Sequence, residues 1–120
     1  MNFVLVGVGG AVGAMLRYAI SLIPLKTAFP IFTFITNILG ATLIGFLAGV
    51  CNRYTNISEH TMLLLKTGFC GGFTTFSTFS LEAYDLISKR NYLTAAIYII
   101  LSVTCCILGI TAGQLIANKI

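Results

Sequence analysis

The chain has 120 residues, of which 58% are hydrophobic and 8% are charged, and its mean hydropathy is +0.99. Soluble domains carry charge on about a quarter of their residues, so this composition excludes a soluble protein and indicates an integral membrane protein. The net charge of +4 comes from basic residues scattered singly among loops and helix ends, which argues against a nucleic-acid-binding surface.

Four segments with almost no charge, residues 1–16, 27–52, 67–81 and 91–118, predict four transmembrane helices in a single domain over residues 1–120. Most of them approach or exceed the roughly 20 apolar residues that a helix needs to cross a bilayer. The first segment lacks the basic start of a signal peptide and runs directly into Arg17, so we expect it to remain in the protein.

The first segment has glycines at positions 7, 9, 10 and 13, which do not fit the dinucleotide-binding pattern G-x-G-x-x-G. Small residues instead recur four apart, Gly9 with Gly13 and Gly10 with Ala14, and this spacing lets membrane helices approach closely. We interpret the glycines as helix-packing residues.

The second segment begins near Pro30 and carries Thr33, Asn37 and Gly40 on one helix face. A buried amide in a bilayer needs hydrogen-bond partners, because an unsatisfied one is costly there. Asn37 therefore either joins helices or lines a pore, and the residues leave both interpretations open.

The third segment contains GFCGGFTTFSTFS, residues 68–80. Gly71 and Gly72, followed by the β-branched Thr74 and Thr75, form a poor helix interior, so we predict a helix break here. Non-helical backbone at membrane depth occurs where protein buries it or where it lines an aqueous cavity, and its carbonyls bind cations in transporters.

The fourth segment is mainly apolar, with a short polar streak formed by Tyr98, Ser102 and Thr104. Such hydroxyls usually bond their own backbone, so the streak alone is weak evidence for a pathway. The cysteines at positions 51, 70, 105 and 106 have no metal-ligand spacing, and we interpret them as small buried hydrophobic residues.

The loops do not fix the orientation of the chain. The loops that carry Lys26, Lys89 and Arg90 share one side, while Arg53 and Lys119 share the other, so the basic excess is slight. Since a Lys/Arg excess orients membrane proteins, two interpretations follow: one weakly specified orientation, or insertion both ways with an antiparallel dimer formed from the two.

The chemistry of the polar residues suits an anion and predicts no enzyme. The single histidine, His60, lies in a loop, and no zinc, nucleotide or nucleophile motif is present. Hydroxyl and amide groups can donate to a dehydrated anion, and aromatic ring edges are positively polarised. Arg17 either concentrates anions at a vestibule or is an interfacial arginine whose guanidinium reaches the headgroups.

These residues resemble the Fluc (CrcB) family of fluoride channels over essentially the whole chain. The resemblance rests on GGAVGAMLRY, on Asn37 with Gly40, and on GFCGGFTTFSTFS followed by Glu82. It implies an all-α membrane protein with four transmembrane helices, the third of them broken, assembled as an antiparallel dual-topology homodimer. It also implies passive export of fluoride across a bacterial inner (plasma) membrane, and a structural Na⁺ at the dimer interface that is not transported.

The resemblance also assigns residues. It implies a fluoride pore lined by Phe76, Phe79, Asn37, Ser77, Thr78, Ser80, Glu82, Tyr98 and Ser102. It places Arg17 at a vestibule and assigns the backbone carbonyls of Gly71 and Thr74 to sodium, a hard cation that takes oxygen ligands. The chain departs from the family at Phe32, where relatives often have glycine, and at Cys106, where we would expect a hydroxyl.

Two other classes remain as alternatives. A small multidrug-type transporter also has four helices, but it needs an intramembrane acid to bind cations. Glu82 is the single candidate, and it follows the polar stretch instead of lying centrally in the first helix. A membrane scaffold, in which the glycines only pack helices, would conduct no ion.

Overall fold

The computed structural model describes residues 1–120 and contains helices but no strand. Two long helices come first, α1 (Asn2–Ser21) and α2 (Ile31–Arg53). A nearly continuous helical stretch follows, made of α3 (Glu59–Met62), a π-helix (Leu63–Cys70), α4 (Gly71–Phe73) and α5 (Phe76–Ser88). The longest helix, α6 (Tyr92–Lys119), ends the chain.

Three of these helices, α1, α2 and α6, are long and apolar enough to cross a membrane. They confirm the first, second and fourth predicted segments, although α1 continues to Ser21 and so includes Arg17. The third segment, residues 67–81, lies within a longer helical stretch that is interrupted at Thr74 and Thr75. Helical backbone there already begins at Glu59 and ends at Ser88, and it includes Lys66.

The long helical elements form two pairs, and the two members of each pair run parallel. Gly9 lies beside Gly68, and Gly13 lies beside Phe73, so α1 runs parallel to the stretch from the π-helix to α4. In the same way Gly45 lies beside Ile110 and Gly49 lies beside Ala117, so α2 and α6 run parallel to each other. A three-residue turn joins α5 to α6, with Arg90 at a positive φ of 61°. The result is a bundle whose successive long elements alternate in direction.

Contacts at the two ends of the bundle agree with this arrangement. The Phe29 ring, in the first loop, lies 5.3 Å from the Tyr98 ring near the start of α6. At the opposite end Arg53 donates hydrogen bonds to the carbonyls of Ala117 and Asn118, the last turn of α6. Cations are favourable at helix carboxyl ends, so this contact ties α2 to α6.

Glycines bring α1 against the third segment. A Cβ added to Gly9 would lie 2.9 Å from the Phe69 amide nitrogen, and one added to Gly13 would lie 2.8 Å from that of Phe73. This confirms the predicted packing role. Gly72 is helical within α4, and a Cβ added to it would lie 2.9 Å from Gly10 Cα. Within the predicted break, Gly71 and Gly72 are helical, and the interruption falls on Thr74 and Thr75, the later part of that stretch.

Most of the outer surface is apolar. Only 20 of the 120 residues are buried, and large side chains such as Phe3 (94% exposed) and Leu93 (75% exposed) point outward. A surface of this kind suits contact with lipid. The hydrophobic core lies between α5 and α6 and contains Phe79, Ala83, Leu86, Ala95 and Tyr98.

Candidate ion pathway

Two threonines interrupt the helical stretch between α4 and α5. Thr74 (φ −86°, ψ 156°) and Thr75 (φ −151°, ψ 116°) are extended. The Thr74 hydroxyl donates to the Cys70 carbonyl at 2.8 Å, while Thr75 Oγ1 accepts from the Thr78 amide at 3.2 Å. Threonine is a favourable N-cap because its oxygen satisfies a free helix amide. One threonine thus ends the first helix and the other begins the next.

Asn37 holds the interruption in place from α2. Its Nδ2 donates to the Thr75 carbonyl at 3.1 Å, and its Oδ1 accepts from the Thr75 amide at 2.8 Å. Because both backbone groups of an extended residue need partners, one side chain here supplies both. Of the two roles predicted for Asn37, these hydrogen bonds show the joining of helices. Its second amide hydrogen has no part in this pairing.

The interruption also frees backbone carbonyls. In a continuous helix, the Thr75 amide would donate to the Gly71 carbonyl and the Thr78 amide to the Thr74 carbonyl. Here these amides donate to Asn37 Oδ1 and to Thr75 Oγ1 instead. The carbonyls of Gly71 and Thr74 therefore lack their helical donors. Carbonyl oxygens are suitable ligands for a hard cation, and no cluster of three or more His, Cys, Asp or Glu side chains offers an alternative site.

A first cavity of about 320 Å³, here called the Phe cavity, lies against α2, the interruption, α5 and α6. Its lining includes four predicted pore residues, Asn37, Phe76, Phe79 and Ser102. The Phe76 and Phe79 ring centroids are 5.7 Å apart, yet Phe79 is 8% exposed and Phe76 is 78% exposed. The Phe79 ring is thus packed in the core, whereas most of the Phe76 surface is exposed on a single chain.

A second cavity of about 350 Å³, here called the Arg17 cavity, lies between α1, the start of α2 and α5. Its polar lining includes Arg17, Tyr18, Ser21, Thr33, Thr36, Thr75, Thr78 and Glu82. Arg17 Nε also donates to the Gly72 carbonyl at 3.2 Å, so this side chain is engaged inside the bundle. Thr75, at the interruption, lines both cavities.

Glu82 joins three elements beside the Arg17 cavity. This half-buried carboxylate accepts from the Thr33 hydroxyl at 2.5 Å and from the Tyr98 hydroxyl at 3.3 Å. The fully buried Tyr98 therefore directs its hydroxyl toward Glu82, and Tyr98 lines neither cavity. The carboxylate links α5 to both α2 and α6.

Some predicted site residues lie apart from the cavities. Ser77 and Ser80 are exposed and line neither cavity, and the Ser80 hydroxyl donates to the Phe76 carbonyl at 2.9 Å. Conversely, the sequence did not identify Thr33 and Thr75 as site residues. The shared face of Thr33 with Asn37, and the N-cap preference of threonine, are the signals that could have identified them.

Long apolar helices, with a mainly polar cavity between α1, α2 and α5, place this protein in the class of multi-pass α-helical membrane proteins. The chain belongs to the CrcB family, because the family described as "CrcB-like protein, Camphor Resistance (CrcB)" matches residues 4–114.

Curated relatives are similar over nearly their whole length. A protein of Azobacteroides pseudotrichonymphae is 38% identical, with 95% of this chain and 94% of the relative covered. One of Ruminiclostridium cellulolyticum is 42% identical over 100% of this chain and 95% of the relative. One of Hydrogenobaculum is 46% identical over 83% and 84%. Each of the three is named a fluoride-specific ion channel, FluC.

Proposed function

We propose that this chain is a fluoride-specific ion channel that exports fluoride passively and so lowers its concentration in the cell. The observation that carries the proposal is the cavity that Phe76, Phe79 and Asn37 line beside an interrupted helix, in a member of a family with curated relatives named fluoride channels. Those names also support the prediction that the chain is not an enzyme. We further propose that the protein lies in a bacterial inner (plasma) membrane.

The two cavities suggest the course of the ion. Fluoride enters the Arg17 cavity, where the Arg17 guanidinium offsets the negative charge of Glu82 on the same lining and the Thr78 hydroxyl lies nearby. It passes Thr75 into the Phe cavity, where the edges of Phe76 and Phe79 and the second amide hydrogen of Asn37 replace water around it. Ser102, on α6, lines the same cavity.

A second copy of the chain would complete this path. We propose an antiparallel, dual-topology homodimer in which residues 59–88 form the third crossing, broken at Thr74 and Thr75. The slight difference in basic charge between the two ends supports insertion both ways. The exposed Phe76, Ser77 and Ser80 support a pore that both copies line. Tyr98 and Glu82 would contribute from their position beside it.

The freed carbonyls support a structural sodium ion between the two copies. Gly71 is exposed, and nothing lies within 4 Å of a Cβ built on it, so this side of the helix is open to a partner. Two carbonyls from each copy, Gly71 and Thr74, would give oxygen ligands without a carboxylate. Such an ion would hold the interface together and would not be transported.

Removing sodium from both sides of the membrane should therefore reduce fluoride flux slowly, as the structural ion dissociates. The measurement is the fluoride efflux rate from liposomes after increasing times in N-methylglucamine medium, with recovery when sodium is returned. An immediate loss of flux, or sodium movement in fixed ratio to fluoride, would show a transport site instead.

Reconstituted protein should release fluoride rapidly from liposomes, as followed with a fluoride electrode, and should release chloride negligibly. Phe76→Ile and Phe79→Ile should each remove most of the flux, because an aliphatic side chain lacks polarised ring edges. Phe69→Ile is the matched control, since its ring stacks on Phe73 at 5.7 Å and lines neither cavity.

Each alternative class predicts a different result from the same liposomes. Rapid chloride release at equal protein density would contradict fluoride selectivity. Proton-coupled uptake of organic cations would indicate the multidrug-type transporter, which the names of the relatives do not support. Folded protein that moved no ion would indicate a scaffold.

A further inference from the structure

One thiol stands alone in the Phe cavity. The four cysteines are free, and of these Cys106 is the one that lines this cavity. Cys51 is exposed at the end of α2, Cys70 is buried in the π-helix, and Cys105 is half-buried on a neighbouring face of α6. The fluoride path proposed above thus passes a single sulfur atom.

The same wall of the cavity carries an unpartnered hydroxyl. Ser102 lies one helical turn before Cys106 and is 6% exposed, yet its Oγ has no hydrogen-bond partner. Other hydroxyls in the bundle bond to their own helix, as Thr111 Oγ1 does to the Ile107 carbonyl at 3.1 Å. Because buried polar groups are normally satisfied, this hydroxyl is free for a ligand in the cavity.

The spacing puts both groups on one face. Residues four apart on an α-helix lie one above the other, and Ser102 and Cys106 both line the cavity. A thiolate selects soft cations such as Cu(I), whereas a hydroxyl alone does not hold them. The pair therefore offers one strong soft ligand and one weak oxygen ligand.

We propose that Cys106 and Ser102 form a binding site for a soft monovalent cation of the Cu(I) and Ag(I) class, and that its binding closes the fluoride path. The Cys106 thiol gives its proton to water or buffer, and the sulfur forms a bond to the metal ion, so nothing is oxidised or reduced. The Ser102 hydroxyl or a water takes a second ligand position. The metal–thiolate unit carries no net charge, so it closes the path by occupying part of the cavity that Phe76, Phe79 and Ser102 line, through which fluoride must pass.

The probe is Ag⁺, applied to the reconstituted full chain in chloride-free fluoride medium. Wild-type fluoride efflux should fall to the level of protein-free liposomes and recover when excess thiol removes the silver. Cys106→Ser should keep most of its own uninhibited rate in Ag⁺. Cys105→Ser, which changes the adjacent thiol outside the cavity, should be inhibited like wild type. Efflux insensitive to Ag⁺, or Cys106→Ser inhibited as strongly as wild type, would overturn the proposal.

A second measurement separates this site from the proposed function on which its blocking effect rests. Silver bound to purified protein should be lower by one ion per chain in Cys106→Ser than in wild type. Ser102→Ala should bind silver more weakly at the same site. If wild type moves no fluoride, the channel proposal fails while the silver content still tests the site. Equal silver content in wild type and Cys106→Ser would exclude the site.

Discussion

Replacing Asn37 with alanine should abolish fluoride flux and destabilise the protein. The substitution removes both hydrogen bonds to Thr75 and leaves its amide and carbonyl without partners inside the bundle. Each unsatisfied buried group costs about 1–3 kcal/mol, and ~1.4 kcal/mol already changes an equilibrium tenfold. The extended geometry at Thr75 should then be lost, and with it the shape of both cavities.

Two variants separate the role of Asn37 from a general effect of changing α2. Asn37→Asp keeps an acceptor for the Thr75 amide but loses the donor to its carbonyl, so we expect an intermediate loss of stability. Thr42→Val is the matched control, because the Thr42 hydroxyl bonds only the Ile38 carbonyl of its own helix, at 2.9 Å. Thermal unfolding in detergent and fluoride efflux are measured for all three. Wild-type stability and flux in Asn37→Ala would contradict the assigned role.

The long apolar helices could be predicted from the sequence because their signal is local. An uncharged run of about 20 residues has essentially one stable structure in a bilayer, and α1, α2 and α6 match their segments. The Gly9 and Gly13 contacts were also predictable, since small residues spaced four apart act at close helix crossings.

The third segment was harder because its structure depends on tertiary partners. Glycine is a poor helix former, yet Gly72 is helical. A glycine is needed at this position because the close contact with Gly10 leaves no room for a side chain. The interruption falls at Thr74 and Thr75, and Asn37 from another helix supplies the missing hydrogen bonds of Thr75. No local pattern encodes which helix provides that partner.

Some features of the candidate site could likewise be predicted from the sequence, whereas others depend on tertiary contacts. Asn37, Phe76, Phe79 and Ser102 do line one cavity, as residues of a single path should. The partners of Glu82, Thr33 on α2 and Tyr98 on α6, are 49 and 16 residues away in the chain, so sequence spacing alone could not bring them together. The exposed Ser77 and Ser80 depend on a second copy for any role in the pore.

Gly13→Ala should prevent α1 from packing against the third segment and should leave little folded protein. The added Cβ would lie 2.8 Å from the Phe73 amide nitrogen and 3.1 Å from the Phe69 carbonyl carbon. These are backbone atoms that cannot rotate away, so the two helices must separate. Overpacking costs about 1–3 kcal/mol where side chains can adjust, and we expect at least the upper end of that range here.

Gly7→Ala is the matched control for this prediction, because it makes the same change on the same helix and nothing lies within 4 Å of its added Cβ. Its unfolding midpoint in detergent and its fluoride flux should equal those of wild type, whereas Gly13→Ala should lose both. The separation of α1 would also release the hydrogen bond from Arg17 to the Gly72 carbonyl and open the Arg17 cavity. Equal midpoints for the two variants would mean that α1 does not need this close approach, and the role given to its glycines would be wrong.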